Sequence, residues 1–229
     1  MRVPSHIEKL LAQYAMPKLD IGCGQNKNPG FIGMDFENFP GVDVVHNCEL
    51  FPWPFPDSAF VGAVTSHVVE HINPTAGDAR IPALISLLLK KKVVTPKEVE
   101  EFIGEVNPGP LFVRFMDEVW RVLKPGAQFA MVYPYAGSPG FWQDPSHING
   151  INEMTWWYFD PEEPHVGAML YKFYKPKPWK LVRALGQKGG NMEVILEKRD
   201  VKPEYSEGTP ADAYEEKMEE STLVVDMQR

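Results

Sequence analysis

The stretch Leu19 to Asp35, "LDIGCGQNKNPGFIGMD", sets two short apolar runs around a pair of glycines and ends on an acid. "LDI" and "FIGMD" read as successive strands. Gly22 and Gly24 between them allow a backbone to approach a ligand, because no Cβ intrudes. In a dinucleotide site such a loop opens a helix whose N-terminal amides hold a pyrophosphate. Here ten residues separate Gly24 from Asp35, and Pro29-Gly30 lies among them. A strand from Phe31 to Asp35 leaves roughly six residues for loop and helix, under two turns at about 3.6 residues per turn. The phosphate-binding helix is missing or stunted. The spacing favours a nucleoside without phosphates, with Asp35 placed for ribose hydroxyls and Asp20 for an ammonium.

The rest of the chain supplies a sheet for that loop. Lys18 to Ile21, Phe31 to Asp35, Val42 to His46 and the unbroken apolar run Phe60 to Ser66 are expected strands. The last lacks polar alternation, as a central parallel strand does. "FPWPFPD", Phe51 to Asp57, cannot be regular structure, because its three prolines lack backbone donors. Upstream, Ser5 to Glu8 forms a capping-box pattern before Ile7, Leu10, Leu11 and Tyr14 at helical spacing. Downstream, Phe115, Met116, Val119, Trp120 and Leu123 mark a helix face closed by the Pro-Gly stop of Lys124 to Gly126. "AQFAMVYP" follows as a fifth strand. "WKLVRAL" and "MEVILEKR" flank "GQKGGN" as a terminal hairpin. The expected fold class is α/β, a Rossmann-like, mostly parallel sheet with a C-terminal antiparallel hairpin.

Residues 73–112 are out of proportion to a simple connection and read as a helical insertion. Its second helix begins at Thr95 as N-cap, with Pro96 at the first helical position and Glu98 completing a capping box. Val99, Phe102, Ile103 and Val106 form its stripe. The insertion is a candidate lid, a homo-oligomer or partner interface, or simple decoration. Residues 1–200 then form one domain, and 201–229 an acidic, weakly ordered tail.

Composition bounds the functional classes. The 229 residues carry a net charge of −8, of which −5 lies between Val201 and Arg229. That balance disfavours nucleic acid as a partner. No apolar run approaches the roughly 18 residues of a membrane span. The N-terminus lacks the pattern of a signal peptide, so a cytoplasmic location is expected. Cys23 and Cys48, without CxxC pairing, read as reduced thiols.

"LDIGCG", "IGMDF", "HNCELFPWPFPDSAF", "TSHVVEHI" and "RVLKPGAQF", in this order, resemble class I S-adenosylmethionine (SAM) dependent methyltransferases. The likeness covers roughly residues 17 to 136 apart from the insertion. It implies SAM as cofactor and transfer of its methyl to an O or N nucleophile on a small molecule or an exposed group. Asp20, Gly22, Cys23 and Gly24 match the methionine-side loop, and Asp35 the ribose acid. Asn47 stands where the family often has an aspartate facing the adenine amino group, and Cys48 supplies the next amide. Ser66 and His67 match the strand end beside the methionine moiety. Gln25 to Gly30 are expected to cover that end as a loop.

"HVVEH", His67 to His71, pairs histidines at i and i+4, but the metal-binding order HExxH is absent and no metal site is assigned. His71 reads as packing or a helix-start hydrogen bond. In "GFWQDPSHINGINEMTWWYF", Gly140 to Phe159, Asp144 and His147 are the candidate catalytic pair. A histidine titrating near ~6.5 suits a general base. Trp142, Trp156, Trp157 and Tyr158 are candidates to wall an acceptor pocket. The alternative is a catalytically silent protein of the same fold that binds or assembles, and an NAD oxidoreductase is disfavoured by the missing helix.

Overall fold

The computed structural model describes residues 3–73, 87–99, 110–163, 176–186 and 190–200. Its core is a seven-stranded sheet of order β3-β2-β1-β4-β5-β7-β6. The strands are β1 (Leu19–Ile21), β2 (Ile32–Asp35), β3 (Val44–Val45), β4 (Phe60–Ser66), β5 (Leu123–Pro134), β6 (Trp179–Gly186) and β7 (Asn191–Lys198). β1 to β5 pair in parallel, and β7 runs antiparallel between β5 and β6. This is the Rossmann-like sheet with a terminal antiparallel pair expected from the sequence. The reversal of order at β1 and β4 opens a crevice at their C-terminal ends, where open α/β sheets bind ligands.

Every residue of β1 and β2 is buried, so both faces of the sheet are covered there. β7 instead alternates buried and half-buried positions, as an antiparallel strand with one packed face does. Helix α1 (Ser5–Leu11) precedes β1, and α2 (Leu111–Val122) precedes β5. α2 buries Phe112, Phe115, Met116, Val119 and Val122 at helical spacing. Each such side chain contributes about 1.5–3 kcal/mol when fully buried. Phe115 packs edge-on to Trp53 with ring centres 5.7 Å apart.

Two local expectations change. The N-cap of α1 is Pro4, not Ser5: Pro4 O accepts from Ile7 N and Glu8 N, and the Ser5 capping box does not form. Proline suits that position because its fixed φ of −61° already directs the chain into the helix. Lys124 to Gly126 do not stand outside the strand after α2 but within β5. They bulge where the pairing jumps from Phe60–Leu123 to Gly62–Gln128. In the insertion, residues 87–90 and 96–99 are helical. The Thr95 capping box forms, with Thr95 N to Glu98 Oε2 at 2.7 Å and Glu98 N to Thr95 Oγ1 at 3.2 Å. The remainder of the expected second helix, the hairpin turn at 187–189 and the tail lie outside the described residues. Among the described residues no helix is long and apolar enough to cross a membrane.

The proline-rich segment is held by Glu118 and Arg121 of α2. Glu118 Oε1 accepts from Trp53 N at 2.6 Å, and Arg121 is bidentate to Glu118 at 2.6 and 3.0 Å. Arg121 also donates to Phe55 O, Trp53 O and Asp57 Oδ1. Prolines remove backbone donors, so carbonyls of this segment take theirs from a guanidinium instead. Trp53 Nε1 in turn donates to Cys48 O at 3.0 Å, tying the segment to the end of β3. Arg121→Ala leaves Glu118 buried without its partner and is expected to cost roughly 2–4 kcal/mol in urea unfolding.

A second prediction concerns Asp117, whose carboxyl burial pushes up to about 6 while Lys177 N donates to it at 2.7 Å. A carboxyl raised in the folded state stabilises below its unfolded pKa, and that contribution is lost as pH rises through about 6. Asp117→Asn keeps the acceptor and is expected to flatten stability between about pH 4 and 6. Thermal melts across that range check it.

Candidate functional site

The chain from Gly22 to Phe31 crosses between two parallel strands without a helix. Its backbone donors are satisfied locally instead. Gly22 N and Cys23 N donate to Met34 O at 2.8 and 3.3 Å, and Gly24 N donates to Asp35 Oδ2 at 2.8 Å. Asn28 N and Nδ2 both reach Asp20 Oδ2, at 2.7 and 2.9 Å. Asp43 Oδ2 accepts from Gly33 N at 2.8 Å and pairs with Lys27 Nζ at 2.7 Å. The Lys27 stem lies so close over Gly33 that a Cβ there would meet Lys27 Cδ at 2.6 Å. The lysine stem takes up space against β2 that a helix would otherwise fill.

A cavity of about 550 Å³ opens at the C-terminal ends of the central strands, within the size range of small-ligand sites. Gly22, Met34, Asp35 and Phe36 form one side, His46 to Glu49 the second, and His67, Val68, His71 and Ile72 the third. The structure brings Gly22, Asp35, Asn47, Cys48 and His67 together around this cavity. Asp20, Cys23, Gly24 and Ser66 are not in the lining. Asp20 and Gly24 are instead spent on the loop, and the Cys23 thiol faces Gly33. Gln25 to Gly30 do not line the cavity either, because the Lys27–Asp43 pair draws them over β2.

Asp35 has two tasks. Its Oδ2 fixes Gly24 N and its Oδ1 accepts from Glu37 N at 3.1 Å, yet each oxygen retains a lone pair for a ligand hydroxyl. Asn47 Oδ1 accepts from Glu49 N at 2.9 Å, which orients its amide beside the lining Cys48. Burial pushes the Cys48 thiol up to about 12 and the Cys23 thiol up to about 11, which favours the thiol over the nucleophilic thiolate. Phe36, exposed beside Asp35, offers a flat apolar face at the cavity wall, a residue that strand patterning alone does not single out.

The third side is polar and strained. His67 sits at φ 56°, in the left-handed region that non-glycine residues seldom occupy. That turn ends β4 and carries the chain into Val68 to Ile72. The segment Asp144 to Ile151 is stapled to it: Ile148 N and Asn149 N donate to Glu70 O, each at 3.0 Å, and Asn149 Nδ2 donates to Val69 O at 2.9 Å. The staple sets the His147 ring 4.8 Å from the His71 ring, centre to centre.

Of the two catalytic candidates, neither Asp144 nor His147 lines the cavity; His71 does, with His147 next to it. Asp144 is occupied in part by Ser146, whose N and Oγ donate to Oδ1 at 2.8 and 2.6 Å. Those bonds hold its carboxyl below the usual range. Glu70, absent from the sequence assignments, is fully buried beside His67, His71 and His147, and burial raises its pKa. The signal that could have found it is an acid at the end of the apolar run "VTSHVVEHI". Trp156 is core, donating to Tyr133 Oη at 2.7 Å, and Trp142, Trp157 and Tyr158 do not line the cavity.

No protein-family model and no curated protein matches the chain. Among solved structures it is similar to a 16S rRNA (adenine(1408)-N(1))-methyltransferase of Catenulisporales acidiphilia in complex with SAM, at 12% identity and TM-score 0.46, over 87% of this chain and 93% of that one. It is also similar to a SAM-dependent methyltransferase from Archaeoglobus fulgidus, at 12% identity and TM-score 0.44, over 85% and 92% of the two chains. A third is a Haloferax volcanii complex of the Trm112 methyltransferase activator with a methyltransferase, at 9% identity and TM-score 0.44, over 85% and 89%. The fold assignment rests on strand order and pairing, not on these distant likenesses.

Gly22 and Gly24 separate steric from conformational demands. A Cβ on Gly22 would meet Val68 Cγ2 at 2.3 Å, whereas one on Gly24 meets nothing within 4 Å. Both have positive φ, 66° and 51°. Gly24→Ala is expected to cost about 1 kcal/mol of stability and Gly22→Ala about 2 kcal/mol or more, compared by chemical denaturation. Equal costs would contradict the close packing of Val68 on the turn.

Proposed function

We propose that the cavity binds SAM and that the protein transfers its methyl group to an O or N nucleophile, leaving S-adenosylhomocysteine. The observation that carries this reading is Asp35: a carboxylate at the tip of β2, facing a cavity, beside a glycine turn that no helix follows. A dinucleotide would set its pyrophosphate on the glycine turn, where no helix N-terminus follows to bind it. A nucleoside bearing an ammonium and a sulfonium has no such requirement.

In this reading Asp35 accepts the ribose hydroxyls, Gly22 lets the ligand lie against the turn, and Asn47 and Cys48 face the base. Phe36 covers the base from the solvent side. Asp20 acts by holding the loop through Asn28 rather than by direct contact with the ammonium. SAM supplies an electrophilic methyl, so the chain's own contribution is to align the acceptor and exclude water. The acceptor enters beside His67 and His71. The His71 ring stands at that wall, with the His147 ring 4.8 Å from it, centre to centre.

The acceptor is a small molecule or an exposed group on a larger one, and the net charge of −8 favours that over a nucleic acid surface. A cytoplasmic location fits the two unpaired cysteines.

SAM and S-adenosylhomocysteine are expected to raise the melting temperature, by the equivalent of ~2.7 kcal/mol at 100 times the dissociation constant. NAD is expected to leave it unchanged. A shift with NAD alone, or none with either SAM species in ligand-free folded protein, contradicts the proposal.

A further inference from the structure

Behind the cavity's third wall, donor atoms of Glu70, His71 and His147 lie within 4.8 Å of one another. Glu70 is 0% exposed, and neither of its carboxylate oxygens has a hydrogen-bond partner. His67 Nδ1 stands 3.2 Å from Glu70 Oε1 without the alignment of a hydrogen bond. A carboxylate stripped of water and left without donors is costly, and a cation is the group that compensates it best.

The histidines are prepared for the same cation. His147 Nδ1 lies 2.8 Å from Phe141 O, and His71 Nδ1 lies 3.2 Å from Ser146 O. A carbonyl only accepts, so each Nδ1 carries the proton and each Nε2 is left with a lone pair in the neutral ring. Metal-bound histidines are held in this manner by backbone carbonyls. His147 Nε2 also faces Asp144 Oδ2 at 3.7 Å, too far for a hydrogen bond.

We propose that Glu70, His71 and His147 bind a divalent first-row transition metal, with Zn2+ the best match. Two imidazoles and one carboxylate form a three-ligand set that leaves a fourth position for water or a ligand atom. His71 belongs to the cavity wall, so that fourth position adjoins the cavity. Bonds of about 2.0–2.1 Å put tetrahedral donors about 3.4 Å apart, so the three side chains draw together by over an ångström on binding. The set escapes the sequence motif because its third member arrives on the Asp144 to Ile151 segment, not on the turn that carries "HVVEH".

This assignment stands independently of the cofactor. Tag-free full-length protein, stripped with chelator and held without SAM, is titrated with Zn2+ by calorimetry. Co2+ in its place reports coordination by visible absorption. The expected result is one ion per chain, with affinity reduced about tenfold or more in Glu70→Gln, His71→Asn and His147→Gln alike. Circular dichroism establishes that each variant is folded, and the histidine variants decide the matter if Glu70→Gln is not. Absence of stoichiometric binding overturns the proposal. So does binding that the folded variants leave unchanged, which would place the ion elsewhere. Adenosyl-ligand binding without Zn2+, or the reverse, shows which of the two readings has failed.

Discussion

Two parallel strands have to be joined here across the ten residues from Gly22 to Phe31. A parallel crossover ordinarily takes about a dozen residues or more and uses a helix to satisfy its own backbone. Without one, this loop turns to other acceptors: Met34 O takes Gly22 and Cys23, and three aspartates pin the rest of the crossing. Asp20 takes Asn28, Asp35 takes Gly24, and Asp43 takes Gly33 and Lys27. Each is a charge-assisted contact of 2.7–2.8 Å, the stronger class of hydrogen bond. The position of the cavity follows from that arrangement, because the same Asp35 that fixes the glycine turn also forms its wall.

The opposite wall obeys a similar economy. β4 ends in a left-handed histidine, and the following turn receives the Asp144 to Ile151 segment through bonds to its carbonyls. This docking carries His147 to His71 and encloses Glu70. The second side, His46 to Glu49, depends on the proline-rich segment, whose carbonyls are gathered by Arg121 and whose Trp53 holds Cys48. Loops rather than helices build the site: charged side chains of the sheet and of α2 fix two of them, and the backbone carbonyls of Val69 and Glu70 fix the third.

The sheet was legible because its strands are apolar runs bounded by glycine, proline and acids, and β4 spans the expected Phe60–Ser66. The lack of a helix after Gly24 was legible from length alone. Which way the loop would lie was not: Lys27 and Asp43 are ordinary surface residues in sequence, and their pairing moves Gln25 to Gly30 off the cavity. Asp20 and Gly24 are bonded within the loop, and a motif names residue types but not such bonds. His147 was placed near the chemistry, yet His71 occupies the cavity wall. That ordering depends on long-range bonds to Glu70 O that no local pattern encodes. The Ser5 capping box likewise lost to Pro4, whose fixed backbone begins the helix one residue earlier.

The central claim is that a helix-free turn held by aspartates forms the ribose-binding wall of an adenosyl site. A crystal structure with S-adenosylhomocysteine tests it most directly. The account predicts the ribose hydroxyls within hydrogen-bond distance of Asp35, the adenine between Phe36 and Asn47, and Lys27 still paired with Asp43. A ligand bound away from Asp35, or a helix formed between Gly24 and Phe31 around it, would contradict the account.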